Sequence, residues 1–442
     1  MTRKNHYGLF TTITMIVGIV IGSGIFFKAD NILIATGGSV TLGILVFAIA
    51  AFSIIFGCLT LSNFASLTDN PGGAFAYIEE FVSKKLACAF GWFQIFIYYP
   101  TITVVVSWAV GIFMADLFGM NAGLEMQILL GFSWFFVCYF LNILSAKLGG
   151  IMQNISTILK MIPLITIGIL GFLLGNPADI LLQPAQEMQS NLSWFNAIGP
   201  IAFSFDGWII ATVIAFEVKN AKRNLPRALI MAPLFILLLY LLYFAGMSSV
   251  AGVDTILQMQ DASVGIVAQN LFGVLGAKAI MVFVVISVMG TVNGVILGYI
   301  RLPYSLALKN MLPHSSWLAK INEKSDMPIN SGIFSIAVCL FWWVIHYFTM
   351  KYNVLNNSDV SEIAIVMSYL LYTVLYFKVF TMYREGKIKS ILKGVIFPSL
   401  ATLGSLFILF GGIQNPNFMI FVVVCLISLV AGYFYYHKKV QI

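Results

Sequence analysis

Long apolar runs, separated by short charged or turn-rich breaks, make up almost the whole chain. Each run has roughly the 20 residues that a helix needs to cross a bilayer, or more. The pattern predicts twelve transmembrane helices, which cover approximately residues 9–36, 40–67, 86–116, 124–144, 150–175, 194–218, 227–252, 278–307, 329–348, 360–383, 390–411 and 416–437. The first, third and eighth runs are longer than a bilayer requires, so we expect those helices to be tilted or interrupted.

The composition agrees with this pattern and excludes a soluble fold. The 442 residues are 60% hydrophobic and only 9% charged, whereas soluble proteins carry about 25% charged residues. No P-loop, metal-binding pattern or nucleophile–base arrangement stands out. We therefore expect one transmembrane domain over residues 1–442 that is not an enzyme and uses no metal or cofactor. The five cysteines lie in or beside apolar runs and are expected to be buried thiols.

The basic residues give the predicted helices an orientation. The chain carries 24 lysines and arginines and a net charge of +7. With a cytoplasmic N-terminus, only Lys28, Lys278 and Lys351 face outward and Lys160 lies within a span, which leaves 20 inside. This asymmetry follows the positive-inside rule and supports twelve helices with both termini cytoplasmic. The expected partner of the basic residues is therefore the lipid bilayer and not nucleic acid.

The first predicted helix contains a cluster of small residues near its middle. Gly18, Gly22, Ser23 and Gly24 lie within it, although glycine inside a helix costs about 1 kcal/mol relative to alanine. Gly18 and Gly22 form a GxxxG pair, which suits close packing of two helices. The alternative is an unwound segment at mid-membrane.

The sixth predicted helix contains an acid, Asp206, within the run Phe203 to Trp208. A charged residue at membrane depth costs roughly 2.5–3.5 kcal/mol and usually faces a cavity or a partner. The first and sixth helices occupy corresponding positions in two five-helix halves, and paired interruptions there indicate an inverted-repeat transporter. We predict repeats over residues 9–175 and 194–383, followed by two additional helices over 390–437.

Unwound segments expose backbone groups that lipid cannot satisfy but a small zwitterion can. The N–H groups at the start of a half-helix suit a carboxylate, and the freed carbonyl groups suit an ammonium. An α-amino acid carries both on one carbon. The predicted substrate-binding residues are Val20, Ile21, Gly22, Ser23, Gly24, Ile25, Phe203, Ser204, Phe205 and Asp206. Phe203 borders the second break and is predicted to cap the substrate as a gate.

Lys160 is the one lysine well inside a predicted span. A lysine that snorkels to the membrane surface is the simplest interpretation, but its depth in the fifth helix favours a buried functional ammonium. Two roles are compatible with it: bonding the carbonyls of the first break in place of a sodium ion, or carrying a proton. Glu217 begins a charged segment that is typical of a cytoplasmic loop; an internal gate of ion pairs is the alternative, without identifiable partners.

Several segments resemble the amino acid–polyamine–organocation superfamily, over essentially the whole chain. The string Gly22 to Phe26 is similar to its unwound first helix, and Phe203 to Trp208 is similar to its broken sixth helix. Further similarities are Lys160, Glu217 with Asn220 and Arg223 to Pro226, Val292 to Gly294, and Met311 to Pro313. Bacterial members of the L-amino acid transporter branch resemble the chain most.

The resemblance implies an all-α polytopic fold of 12 transmembrane helices, with a leucine-transporter-like 5+5 inverted repeat and discontinuous helices 1 and 6. It implies sodium-independent exchange of small neutral amino acids by alternating access, of the alanine, serine and cysteine type, in a bacterial cytoplasmic membrane. It also implies that Tyr240 links substrate occupancy to gating near Lys160. Two departures matter: Leu117 to Leu124 lacks the cysteine by which animal members bind a heavy chain, so none is expected, and Asp206 replaces a glycine.

Three other functions remain open at this level. A proton-coupled amino acid symporter is equally compatible with Lys160. An antiporter of cationic amino acids or polyamines would normally need more acidic groups in the cavity than Asp206. A sensor that binds an amino acid without moving it is disfavoured, because no signalling domain is visible in the chain.

Overall fold

The fold is helical, as the apolar pattern predicts. A computed structural model describes residues 7–27, 29–68, 70–178, 194, 201, 204–259, 263–355, 359–413 and 415–439. Within these ranges the β pairing is limited to two isolated bridges, Tyr7 with Val218 and Asn322 with Met327. The all-α prediction is therefore confirmed. The five cysteines are free and buried, which confirms that prediction too.

Ten helices in the described part of the chain are long and apolar enough to cross a membrane. They are Val40–Leu67, Lys84–Leu117, Leu124–Leu144, Lys147–Leu174, Ala221–Ala251, Ser263–Ala307, Ile329–Lys351, Ala364–Arg384, Leu392–Ile413 and Phe418–Lys438. Each corresponds to one of the predicted spans. The first and sixth predicted spans are missing from this set, and they are the two for which interruptions are predicted. The count of twelve stays a prediction.

The first predicted span is divided into three helices. Helix α1 covers Leu9–Val20, and Ile21 then adopts an extended backbone with φ −74° and ψ 96°. Helix α2 begins at Ser23 and ends at Phe27, and α3 covers Ala29–Ala35. The interruption therefore lies at Ile21 and Gly22, inside the small-residue cluster.

The sixth predicted span departs from α-helical geometry after Ser204. Residues 205–209 form turns, and a 3₁₀ helix covers Ile210–Glu217. Eight residues is long for a 3₁₀ helix, because its hydrogen-bond geometry is poorer than that of an α-helix. Gly207 has a φ of 91°, a conformation that residues with a Cβ rarely adopt. Phe203 lies outside the described residues.

The remaining helices complete the bundle. They are α4 Val40–Leu67, α5 Ala74–Phe81, α6 Lys84–Phe93, α7 Tyr99–Leu117, α8 Leu124–Leu144, α9 Ala146–Leu174, α10 Ala221–Ala251, α11 Val253–Met259, α12 Ser263–Tyr299, α13 Arg301–Ala307, α14 Ser315–Leu318, α15 Ile329–Lys351, α16 Glu362–Arg384, α17 Phe397–Ile413 and α18 Phe418–Lys439. A π-helical turn, Gln94–Tyr98, joins α6 to α7. Helix α12 is kinked at Gly273, whose φ is 71°. It begins at Ser263, well before residue 278, where the eighth span is predicted to start.

Helix α1 lies at the centre of the bundle, packed against α9, α10 and α12. Its residues from Thr14 to Val20 are all buried. Helix α18, in contrast, is mostly exposed, with Met419 and Ile427 among its outward-facing side chains. Exposed apolar side chains of this kind are the surface that a bilayer covers. The interrupted first span is therefore enclosed by protein, as an unwound backbone at membrane depth must be unless it lines a water-filled cavity.

Candidate binding site at the two helix breaks

Lys160, on α9, occupies the carbonyl end of α1. Its side chain is fully buried, and Nζ donates to the carbonyl oxygens of Gly18 and Ile21 at 2.6 Å each. The third contact of Nζ is the hydroxyl of Thr291 on α12, at 3.2 Å. An ammonium has three N–H donors, so all three are used. The site thus places a positive charge on the negative end of the α1 dipole.

Thr291 belongs to the same cluster, although it is absent from the predicted site. Its hydroxyl oxygen lies 3.1 Å from the carbonyl oxygen of Ile21 and 3.3 Å from that of Gly18. A Cβ at Gly22 would lie 2.9 Å from the same hydroxyl. In the sequence, only its position next to the Val292 to Gly294 segment singles it out. Its contact with the first break arises from the packing of α12 on α1.

Tyr240, on α10, connects the two interrupted spans. Its hydroxyl oxygen lies 2.8 Å from the carbonyl oxygen of Ser204 and 3.1 Å from that of Val20. A hydroxyl has a single hydrogen, so it can donate fully to only one of these carbonyls at a time. Two carbonyls that the sequence assigns to a substrate ammonium therefore share a single protein donor in this conformation. A carbonyl oxygen has two lone pairs, and each keeps a second acceptor position.

The two breaks are in direct contact through glycines. A Cβ at Gly24 would lie 2.6 Å from Oγ and 2.9 Å from Cα of Ser204. A Cβ at Gly207 would lie 2.6 Å from the Ile19 side chain. Distances below about 3 Å do not occur for real side chains, so only glycine fits at Gly24 and Gly207. The glycine cluster thus serves close approach as well as unwinding.

A cavity of about 30 Å³ lies between the two breaks. Backbone at Gly22 and Gly24 forms one wall, and Ser204, Asp206 and Thr291 form others. The remaining walls are apolar, from Ile102, Val106, Ile210, Val295 and Ile365 among others. A water molecule needs roughly 10–15 Å³ of such space, so the cavity admits water and is too small for an amino acid. This conformation is contracted around the site.

Asp206 is paired on one side only. The hydroxyl of Tyr98 donates to Oδ2 of Asp206 at 2.7 Å. Oδ1 is also buried and forms no hydrogen bond of standard geometry with a described residue, although the backbone N–H of Gly207 interacts with the carboxylate. Tyr98 is the last residue of the π-helical turn between α6 and α7, and such turns are frequent at functional sites. The side chains of Tyr299 and Trp342 donate to the carbonyls of that turn, at 2.6 Å each.

A buried ion pair lies at the end of the sixth span. The guanidinium of Arg301 contacts both carboxylate oxygens of Glu217, at 2.5 and 2.9 Å. The backbone of Tyr7 pairs with the segment that holds Glu217: its N–H donates to the Glu217 carbonyl at 3.1 Å and its carbonyl accepts from the N–H of Lys219 at 2.8 Å. Burial raises the pKa of the Tyr7 phenol, so it remains neutral beside this pair. Interpretation of Glu217 as part of a solvated loop is therefore wrong.

The structure brings most of the predicted site residues together. Val20, Ile21, Gly22, Gly24, Ser204, Asp206, Lys160 and Tyr240 all lie at or against the two breaks. Phe205 does not line the cavity; its ring packs on Tyr240, with centroids 4.9 Å apart. Ile25 is buried, and Ser23 begins α2. Phe203 cannot be placed, because it is outside the described residues.

Comparison with known proteins identifies the family. Residues 7–434 match the family model for amino acid permeases. The chain belongs to the amino acid permease family. The permease is similar to the serine/threonine exchanger SteT of Bacillus subtilis (strain 168), with 29% identity over 410 residues, which are 92% of this chain and 90% of the relative.

Animal transporters are also similar to the permease. Human Asc-type amino acid transporter 1 is 26% identical over 349 residues, 74% of this chain and 63% of the relative. The human large neutral amino acids transporter small subunit 2 is 25% identical over 355 residues, 77% of this chain and 64% of the relative. The match thus spans under two thirds of either animal protein. The predicted resemblance to this superfamily and its L-amino acid transporter-type members is confirmed, and these relatives are transporters, not enzymes.

Proposed function

We propose that the permease exchanges small neutral L-amino acids by alternating access, without sodium. The observation that carries this proposal is Lys160, whose ammonium holds the carbonyls of Gly18 and Ile21. Backbone carbonyls at a helix end are ligands that suit a sodium ion. A permanent cation bonded there takes the place of a transported one. The name of the bacterial relative, a serine/threonine exchanger, supports exchange of small neutral substrates.

The charge balance at the cavity supports a zwitterionic substrate. Lys160 and Asp206 are the buried, oppositely charged side chains next to the two breaks, and their charges cancel. The other buried charges in the described part of the chain, Glu217 and Arg301, neutralise each other. A zwitterion adds no net charge to this low-dielectric region, whereas a cationic amino acid or polyamine adds an unpaired one. Neutral amino acids are therefore the favoured class.

The proposed substrate position uses the backbone of both breaks. The N–H groups from Gly22 to Ile25 receive the carboxylate, and the backbone carbonyls of Val20 and Ser204 receive the ammonium together with those of Phe203 and Asp206. The carbonyl of Ile21 already accepts from Lys160 and Thr291, so Ile21 contributes by ending α1 at the break. Phe203 is the proposed cap over the substrate. The apolar walls of the cavity restrict the side chain to a small one. The cavity must expand from its contracted state to admit even alanine, which requires the two breaks to separate.

Tyr240 supplies the proposed coupling between the breaks. Its hydroxyl reaches the carbonyls of both Val20 and Ser204, so when the breaks separate it can stay in contact with only one of them. Substrate that donates to these carbonyls replaces what is lost. We extend this to a cycle in which residues 9–175 and 194–383 act as inverted repeats within twelve spans. The proposed location is a bacterial cytoplasmic membrane, with both termini cytoplasmic, residues 390–437 outside the repeats and no disulfide-linked heavy chain.

Uptake of labelled alanine or serine into proteoliposomes tests the proposal. We expect uptake only when the vesicles contain an unlabelled amino acid, and the same rate when sodium is replaced by choline. Equal uptake into empty vesicles excludes obligatory exchange. Uptake that follows an imposed pH gradient into empty vesicles makes the permease a proton symporter. Binding without counterflow makes it a sensor.

A further inference from the structure

The carboxylate of Asp206 has an unused acceptor beside the cavity. Its Oδ2 atom is bonded to the Tyr98 hydroxyl, and its Oδ1 atom has no donor among the described residues. The side chain is only 8% exposed, and Asp206 lines the cavity. A buried polar atom without a partner is uncommon and costs free energy, most of all when it is charged. A donor from a ligand removes that cost.

We propose that Oδ1 of Asp206 accepts a hydrogen bond from the side-chain hydroxyl of the substrate. The permease then prefers hydroxyl amino acids, the serine and threonine class, over apolar amino acids of the same size. This specificity rests on the proposed function, because it takes the cavity between the breaks as the amino acid site. It goes beyond that function by naming the atom that distinguishes one small neutral amino acid from another.

The composition of the cavity leaves this role to Asp206. The backbone of the breaks can bind the amino and carboxylate groups that all amino acids share, so it cannot discriminate between side chains. The hydroxyl of Thr291 is already engaged with Lys160 and the carbonyl of Ile21. Apolar walls such as Ile102 and Val106 offer neither donor nor acceptor. Asp206 is thus a lining side chain whose carboxylate keeps an acceptor without a partner among the described residues.

Tyr98 acts as a positioning residue for this acceptor. Its hydrogen bond to Oδ2 fixes the carboxylate, and its own place is set by the π-helical turn that ends with it. The hydroxyls of Tyr99 and Tyr372 are buried without a described partner and lie within electrostatic range of Asp206. The Tyr98 phenol therefore holds the carboxylate through Oδ2, and Oδ1 is the oxygen left for a substrate.

An ammonium on the substrate side chain is the competing donor. Two features favour the hydroxyl. Lys160 already balances the charge of Asp206, so a second cation would be unpaired in a buried region. The branched side chains of Ile102, Val106 and Ile365 also narrow the cavity, which disfavours the longer side chains of cationic amino acids.

Counterflow with an isosteric pair tests the proposal. Serine and 2-aminobutyrate have the same size, and a methyl group in the second replaces the hydroxyl. A site built to bind a hydroxyl rejects the analogue without one, so we expect at least about a tenfold preference for serine. In Asp206→Ala the ratio should fall to within about twofold of unity, whatever the absolute rate. Asp206→Asn, which keeps an amide oxygen, should retain part of the preference, and Asp254→Ala, at an exposed position on α11, should retain all of it.

Three results would overturn the proposal. They are equal exchange of serine and 2-aminobutyrate by the wild-type permease, an unchanged ratio in Asp206→Ala, and preference for a diamino acid such as 2,4-diaminobutyrate over serine. If Asp206→Ala does not fold, Tyr98→Phe replaces it, because loss of the Oδ2 contact should also lower the ratio.

A binding measurement separates this proposal from the proposed function. Protection of the purified permease against thermal unfolding by serine, compared with 2-aminobutyrate, does not require transport. Serine-specific protection without counterflow would leave the Asp206 contact standing and remove the exchanger. Counterflow of both amino acids at equal rates, with equal protection, would leave the exchanger standing and remove the Asp206 contact.

Discussion

Glu217 and Arg301 form a two-point ion pair that ties the end of the sixth span to α13, which continues the eighth span. Both side chains are almost fully buried, at 6% and 1% exposure. The segment that holds Glu217 is also paired with the backbone of Tyr7. Three parts of the chain therefore meet at the end that the distribution of basic residues predicts to be cytoplasmic. Opening that end requires these contacts to separate.

Glu217→Gln is expected to destabilise the permease strongly. Removing one partner of a buried pair leaves an uncompensated charge, which costs about 3–5 kcal/mol. The measurement is thermal unfolding of the purified protein in detergent. Glu385→Gln is the matched control, because the pair of Glu385 with Lys387 is exposed and exposed pairs contribute little. Equal unfolding temperatures for Glu217→Gln and wild type would contradict a structural role for the pair.

Lys160→Ala is expected to reduce exchange far more than it reduces folding. The substitution removes the ammonium from the carbonyls of Gly18 and Ile21. The Thr291 hydroxyl can still donate to only one of them, so at least one carbonyl is left unsatisfied, at a cost of roughly 1–3 kcal/mol. We expect at least about a tenfold lower exchange rate in proteoliposomes, with a monodisperse protein. Lys147→Ala, an exposed lysine on the same helix, is the control. Wild-type exchange in well-folded Lys160→Ala would refute the role given to this ammonium.

Tyr240→Phe tests the connection between the two breaks. The ring is kept, and the hydroxyl that reaches the carbonyls of Val20 and Ser204 is lost. A single hydrogen bond contributes about 0.5–1.5 kcal/mol, so exchange should fall roughly 2- to 10-fold. Tyr243→Phe, one turn along α10, removes a buried hydroxyl without a described partner and should leave the rate unchanged. If both variants behave alike, the bridging hydroxyl has no part in exchange.

Gly24→Ala is expected to abolish exchange by forcing the breaks apart. The added methyl group would lie 2.9 Å from the Cα of Ser204, and backbone cannot move aside as a side chain can. Gly265→Ala is the control, since nothing lies within 4 Å of a Cβ at that position. Counterflow of serine is the measurement. Normal rates in Gly24→Ala would show that the observed contact between Gly24 and Ser204 is not needed in any step.

Features with a local chemical signature could be predicted from the sequence. The break at Ile21 and Gly22 follows from glycines in an apolar run, and Asp206 is conspicuous as an acid at membrane depth. Both can be identified from sequence because glycine inside a helix and a charge at membrane depth each carry their own free-energy cost. The depth of Lys160 in its span can be predicted for the same reason. Its sequence position is compatible both with contact to the first break and with a role as a proton carrier.

Features that depend on distant parts of the chain could not be predicted. Glu217 and Arg301 are 84 positions apart, and nothing near Glu217 distinguishes a buried carboxylate from a loop residue. The π-helical turn that places Tyr98 against Asp206 has a sequence that would equally suit an α-helix. Its extra residue per turn could therefore not be predicted. Thr291 reaches the first break only because α12 packs on α1.

The ammonium of Lys160 has a consequence for what drives the proposed exchange. It is covalently part of α9, so the positive charge at the first break does not cross the membrane. Two zwitterions that pass in opposite directions also move no net charge. A membrane voltage does work of about 2.3 kcal/mol per charge at 100 mV, and here it has no charge to act on. Concentration ratios alone then set the direction, and an abundant internal amino acid can draw in a scarce external one at any voltage.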